Sequence, residues 1–198
     1  GMVPDGYHSY VKGQNAVVFG CGTIGIAAAV AFRYFGMKKV MICDYSQYRL
    51  DIVEKLGFVT CNHGKEDFFE KAVSYFDNAP SLGGKTADID CWLDAAGADS
   101  ILDDYMKLGK IESRYVIVAV NNKPRNMDLL HLTYAQKSII GSGGYMKEDV
   151  QDVQKIMASS RWDPEIIITH EFTLDQLDKA IRTAADVENS GNVVIRMK

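Results

Sequence analysis

An α/β fold built on a doubly wound, six-stranded parallel sheet is what this sequence predicts, on three observations. Strand-like and helix-like hydrophobic patterns alternate along most of the chain, and such alternation implies right-handed crossovers between parallel strands. The first apolar run passes into a helix-like run through Gly20-Cys21-Gly22-Thr23-Ile24-Gly25. The second apolar run closes on a carboxylate, Asp44. The expected strand order is 3-2-1-4-5-6, with a crevice at the carboxyl ends where the order reverses.

Each element has its own warrant. Ala16–Phe19 reads as a buried strand, and Ile24–Phe35 as an alanine-rich helix stopped by Gly36. Lys39–Cys43 is the second strand, and Gln47–Leu56 a helix stopped by Gly57. Phe58–Cys61 is a short third strand. Glu66–Phe76 places Phe68, Phe69, Ala72, Val73 and Phe76 on one face at helical spacing. Asn78–Thr86, with Pro80 and Gly83-Gly84, reads as a loop. Ile89–Leu93 is the fourth strand, Ser100–Leu108 a helix ended by Gly109, and Tyr115–Val120 the fifth strand. Ser138–Ile140 is a short sixth strand, expected at one edge of the sheet. Beyond it lie a helix over Lys147–Ser159, a strand-like run at Glu165–Phe172, a helix over Leu174–Val187 and a last strand at Val193–Ile195. The expected division is therefore a Rossmann-type domain over 1–146 and a small α/β appendage over 147–198, whose two apolar runs are expected to pair with each other.

The glycines and Asp44 have separable jobs. Gly20 allows the tight turn, Gly22 leaves room for a pyrophosphate near the backbone, and Gly25 lets the helix pack against the strand. The N–H groups of Thr23, Ile24 and their neighbours at the helix N-terminus would face the phosphates. Asp44 stands 19 residues after Gly25, where the dinucleotide fingerprint places an acceptor for a ribose diol. Its charge would repel a 2′-phosphate, which selects NAD over NADP. The bland alternative is a glycine-rich turn that binds nothing and a solvated turn aspartate.

Composition narrows the classes. A net charge of −4 supplies no basic footprint for nucleic acid. The stretch 13–32 carries no charge, but its glycines and its change of pattern argue for strand–turn–helix rather than a membrane span. No signal-peptide pattern is visible. Cys21, Cys43, Cys61 and Cys91 form no C-x-x-C and read as core thiols of a reducing compartment, hence a cytoplasmic location. His8, His63, His131 and His170 do not fall at metal-ligand spacings, and Cys61 with His63 gathers no further ligand. Tyr34 and Lys38 match a Tyr-x-x-x-Lys spacing by chance, at the end of the first helix. Gly1-Met2 has the look of an expression scar.

Taken in order, several segments resemble the cofactor domain of the zinc-dependent medium-chain alcohol dehydrogenases, in the polyol (sorbitol) and threonine dehydrogenase branch. They are residues 18–25 and Asp44 with Arg49-Leu50 and Lys55-Leu56-Gly57; then Leu93-Asp-Ala-Ala-Gly97, residues 139–142 and Tyr145. The likeness ends with Ile168-Thr-His, Phe172-Thr-Leu-Asp-Gln-Leu and Gly191-Asn-Val-Val-Ile.

The resemblance implies NAD as cofactor, an alcohol or polyol as substrate, and hydride transfer between them. It implies that Arg49 covers the adenine ribose, where by itself it reads equally as a surface arginine, and that Ala119, Val120, Gly141 and Ser142 border the nicotinamide. Ala95, Ala96 and Gly97, small residues after the fourth strand and across the crevice from Gly22, suit close approach of the cofactor. The resemblance also implies a homodimer joined through the sixth strand, and a tail that returns to a catalytic domain. The family's zinc ligands lie in that N-terminal domain. The expectation is thus of the cofactor half of such an enzyme, inactive alone and with no metal site of its own. Where the family usually has a glycine after the fifth strand, this chain reads Ala119-Val-Asn-Asn-Lys123. A non-catalytic nucleotide-binding or sensor domain remains the second reading, and a methyltransferase the third.

Overall fold

The computed structural model describes residues 12–197. Six parallel strands form the main sheet in the order β3-β2-β1-β6-β7-β8. They are β1 (Asn15–Phe19), β2 (Lys39–Asp44), β3 (Val59–Asn62), β6 (Cys91–Asp94), β7 (Arg114–Ile117) and β8 (Ser138–Gly141). This is the expected 3-2-1-4-5-6 topology, renumbered because a hairpin intervenes. Helices α1 (Thr23–Tyr34), α2 (Gln47–Glu54), α3 (Phe68–Phe76), α4 (Asp99–Leu108) and α5 (Leu129–Tyr134) lie in the crossovers.

Side-chain alternation along the parallel strands builds two cores, one on each face of the sheet. Ala16, Val18, Val40, Ile42, Leu93 and Val116 point to one face, where Ile26, Ala29 and Phe32 of α1 and Leu50 and Val53 of α2 cover them. Val17, Phe19, Met41, Trp92 and Tyr115 point to the other, under Phe68, Ala72 and Phe76 of α3 and Ile101 and Tyr105 of α4. Phe19 and Trp92 stack with ring centroids 5.5 Å apart, and Phe68 meets both rings. Each such fully buried apolar side chain contributes about 1.5–3 kcal/mol against exposure. The two clusters therefore fix β1 in the middle of the sheet.

Three expectations from sequence need correction. The stretch read as a loop, Asn78–Thr86, forms the antiparallel hairpin of β4 (Asn78–Ser81) and β5 (Gly84–Ala87). Pro80 is tolerated there because the hairpin is a separate two-stranded sheet. The fifth strand stops at Ile117 instead of Val120. Beyond it the Val118 and Ala119 N–H groups both turn to the Asp94 carbonyl at 3.0 Å. The run at Glu165 begins as a 3-10 turn over Pro164–Ile167, and only then becomes β9 (Ile168–Thr173). Helix α5 was not anticipated.

The tail continues with α6 (Lys147–Ala158), β9, α7 (Leu177–Ala185) and β10 (Asn192–Arg196). β9 and β10 pair parallel as a two-stranded sheet of their own, and α7 packs on both. No described helix is long and apolar enough to cross a membrane. All four cysteines are buried free thiols.

Candidate dinucleotide site

The carboxyl ends of β1, β2, β6 and β7 meet at one rim of the sheet, and the turns leaving them make the site. After Phe19 the chain enters the left-handed region at Gly20, φ 101°. The Gly20 N–H donates to the Cys43 carbonyl at 2.8 Å. A Cβ on Gly20 would lie 3.0–3.1 Å from backbone atoms of Ala95 and Ala96, so the two turns touch. A Cβ on Gly25 would fall 1.8 Å from the Gly20 carbonyl oxygen, which no side chain can tolerate. Gly22 differs from both: a Cβ there would meet nothing within 4 Å.

Gly22 is also the N-cap of α1. It supplies no side-chain cap, and the first turn of α1 carries no acidic residue. A helix start with unsatisfied N–H groups, a positive dipole end and open space beside it suits an anion. Thr23 and Ile24 are both exposed at this terminus. The Thr23 hydroxyl donates to Asn192 Oδ1 at 2.7 Å, so the tail reaches the glycine turn.

Asp44 stands beside that turn with its carboxylate already engaged. Oδ2 accepts from the Cys21 N–H at 2.6 Å, and Oδ1 from the Ser46 N–H at 2.8 Å. An ionised carboxylate has about four acceptor positions, so two remain for hydroxyl donors. Arg49 sits on α2 and sends its Nε–H to the Ser190 carbonyl at 2.9 Å. It lines a cavity of ≈ 210 Å³ with Cys21, Gly22, Thr23, Gly191 and Asn192. Burial, with Asp44 beside it, pushes the Cys21 thiol up to about 12, so it stays protonated.

Across the crevice, Ala95, Ala96 and Gly97 form a tight turn after β6. The Ala95 N–H donates to the Phe19 carbonyl at 2.8 Å, and Gly97 takes φ 74°. Ala119, Val120, Gly141 and Ser142 come together with Ile24, Gly143, Gly144 and Tyr145 around an open cavity of ≈ 630 Å³. Val120 is 99% exposed there. All fourteen candidate residues thus lie at one rim, in three neighbouring pieces.

Sequence reasoning missed several groups at this rim. The contacts of Ser190 and Asn192 with Arg49 and Thr23 join positions far apart in the chain, and no local pattern signals them. Tyr45, next to Asp44, is exposed, and its ring meets the His63 ring at 5.9 Å. Burial lowers the His63 pKa, and Phe19 and Phe68 pack on its ring. Among the described residues no group of three His, Cys, Asp or Glu side chains is placed to hold a metal ion. His8 lies outside the described residues.

Comparison with known proteins adds a family. The model of a family described as zinc-binding dehydrogenase matches residues 22–159. Sorbitol dehydrogenase 1 of Saccharomyces cerevisiae is 25% identical over 169 residues, covering 85% of this chain and 47% of its own. L-threonine 3-dehydrogenase of Pectobacterium carotovorum is 26% identical over 185 residues, covering 92% of this chain and 51% of its own. The chain spans about half the length of the curated relatives it matches. Among solved structures, 2R,3R-butanediol dehydrogenase from Bacillus subtilis superposes with a TM-score of 0.81 at 19% identity, over 97% of this chain and 53% of its own. A short chain alcohol dehydrogenase from Escherichia coli CFT073, complexed with NADH, gives a TM-score of 0.81 at 20% identity, over 99% of this chain and 56% of its own. These two likenesses speak to the fold.

Proposed function

The chain belongs to the zinc-binding dehydrogenase family, and on that premise we propose that it is the NAD(H)-binding domain of an alcohol or polyol dehydrogenase. The observation that carries the reading is the pairing of Gly22 with Asp44. Gly22 leaves open space at an uncapped helix N-terminus, and Asp44 keeps two acceptor positions beside it. One fits a pyrophosphate and the other a ribose diol. The NADH in the Escherichia coli structure of the same fold supports the choice of ligand.

In this reading the N–H groups of Thr23 and Ile24 hold the pyrophosphate, with Gly20 and Gly25 shaping the turn. Asp44 takes the adenine ribose hydroxyls, and Arg49 closes that side through the 190–192 segment. Ala95, Ala96 and Gly97 form the facing wall. Ala119, Val120, Gly141 and Ser142 border the nicotinamide, with Ile24 and Tyr145 beside them. When bound, the cofactor would accept a hydride from the alcohol carbon in its oxidised form and return one to the carbonyl carbon in its reduced form. In this reading the catalytic zinc belongs to another domain of the whole enzyme, and the described residues act on the cofactor alone. We place the dinucleotide-binding domain at 1–146 and the segment meeting a catalytic domain at 147–198. We also assign the chain to the cytoplasm and to a homodimer. Titrating the chain into NADH and following nicotinamide fluorescence tests the reading: saturable enhancement is expected, and its absence at millimolar chain would overturn it.

A further inference from the structure

Asp94 ends β6 directly opposite Phe19 of β1, on the other side of that strand from β2 and Asp44. It is 5% exposed. Its Oδ1 accepts from both the Ala96 N–H at 2.9 Å and the Gly97 N–H at 2.7 Å. Its Oδ2 accepts from the Tyr115 hydroxyl at 2.7 Å. A buried carboxylate is costly unless it is hydrogen-bonded, and three donors satisfy this one. Burial, with the Asp94 charge beside it, raises the Tyr115 pKa, so the phenol remains a donor.

The two bonds at Oδ1 fold residues 95–97 into their turn. That turn faces the glycine loop, since Ala95 and Ala96 stand 3.0–3.1 Å from the Cβ position of Gly20. On its far side the Cβ position of Gly97 lies 3.2 Å from Ala119 Cβ. One buried carboxylate therefore sets the wall shared by the glycine loop and the end of β7. We propose that Asp94, braced by Tyr115, is a positioning residue for cofactor binding, holding the 95–97 turn at the separation from the glycine loop that a dinucleotide needs. The inference rests on the dinucleotide reading of the site.

Asp94→Asn, Asp94→Ala and Tyr115→Phe test it, each compared with the unaltered chain well below its melting temperature. Asparagine keeps an oxygen for Ala96 and Gly97 and turns its NH2 to the Tyr115 oxygen, so NADH affinity and amide exchange at 96 and 97 should stay within about threefold. Asp94→Ala should speed exchange of those two amides and weaken NADH by about tenfold or more, because both charge-assisted bonds vanish. Tyr115→Phe removes only the brace and should show the same two changes at about threefold, which decides the matter if the alanine variant does not fold. Unchanged exchange at Ala96 and Gly97 in a folded Asp94→Ala or Tyr115→Phe chain overturns the turn-holding role. A lower melting temperature with unchanged NADH affinity makes Asp94 structural only and overturns the proposal. No NADH binding by the unaltered chain instead overturns the dinucleotide reading and the cofactor part of this proposal, while exchange still decides the turn.

Discussion

Asp44 Oδ2 accepts the Cys21 N–H at 2.6 Å, so the residue expected to grip a ribose also pins the glycine turn. The carboxylate holds Ser46 N–H as well, at the entry to α2. Asp44→Ala should therefore act twice. Losing two bonds to a charged acceptor should lower folding stability by about 1–3 kcal/mol. NADH affinity should fall further than that stability loss explains, because the ribose acceptors go too. Urea denaturation and NADH titration on the same variant check this. Unchanged stability would mean that the Asp44–Cys21 bond does not hold the turn.

Gly22 and Gly25 should part company under the same substitution. Gly25→Ala drives a methyl into the Gly20 carbonyl and should unfold or remodel the turn. Gly22→Ala meets no protein atom within 4 Å and sits at φ −89°, ψ −176°, which alanine adopts freely. It should leave the melting temperature within a degree or two, yet weaken NADH by about tenfold, since the methyl takes ligand space. Equal NADH affinity in a folded Gly22→Ala chain would remove the pyrophosphate from this turn.

Much of this was legible from residues alone. The strand–glycine–helix unit and the carboxylate on the next strand are local, and local periodicity with turn chemistry carries them. Crossover handedness implied a parallel sheet, and its strand order followed from the doubly wound pattern that the glycine turn and Asp44 mark. What escaped is set by distance and by context. Asn78–Ser81 carries a proline and loop-like composition, and only its partner strand makes it β. Tyr115 reads as an apolar core position, and nothing in its neighbours reveals the bond to Asp94. Arg49 turns to Ser190 across 141 positions, a contact that no motif encodes.

Lys137 makes a pH-dependent contribution of defined sign. Its ammonium donates to the Tyr105 and Met106 carbonyls at the end of α4. Burial nonetheless pushes its pKa down to about 8 from the usual 10.5. In the unfolded chain the group holds its proton to about pH 10.4. Between pH 8 and that value the unfolded state binds more protons, so stability contributed at this position rises with pH. Below pH 8 the full cost of burying the charge is present. The stability of the unaltered chain minus that of Lys137→Met, followed by denaturation from pH 7 to 10, should climb across that window. A flat difference would contradict it.

The outer edge of β8 pairs with no strand among the described residues. Leu129, Leu130 and Tyr134 of the helix before it are exposed. An open strand edge beside apolar side chains invites association with a second copy. Light scattering should give twice the 22.0 kDa chain mass. A monomer mass at high concentration would rule out the homodimer.

Cofactor choice is the most direct test of the whole account, because it depends on Asp44 and the glycine turn together. Calorimetric titration of the unaltered chain with NADH and with NADPH, under one buffer and salt, measures it. The account predicts that NADH binds, and that NADPH binds at least about tenfold more weakly, since a 2′-phosphate would be brought against the Asp44 carboxylate. NADPH binding as tightly as NADH, or more tightly, would contradict it.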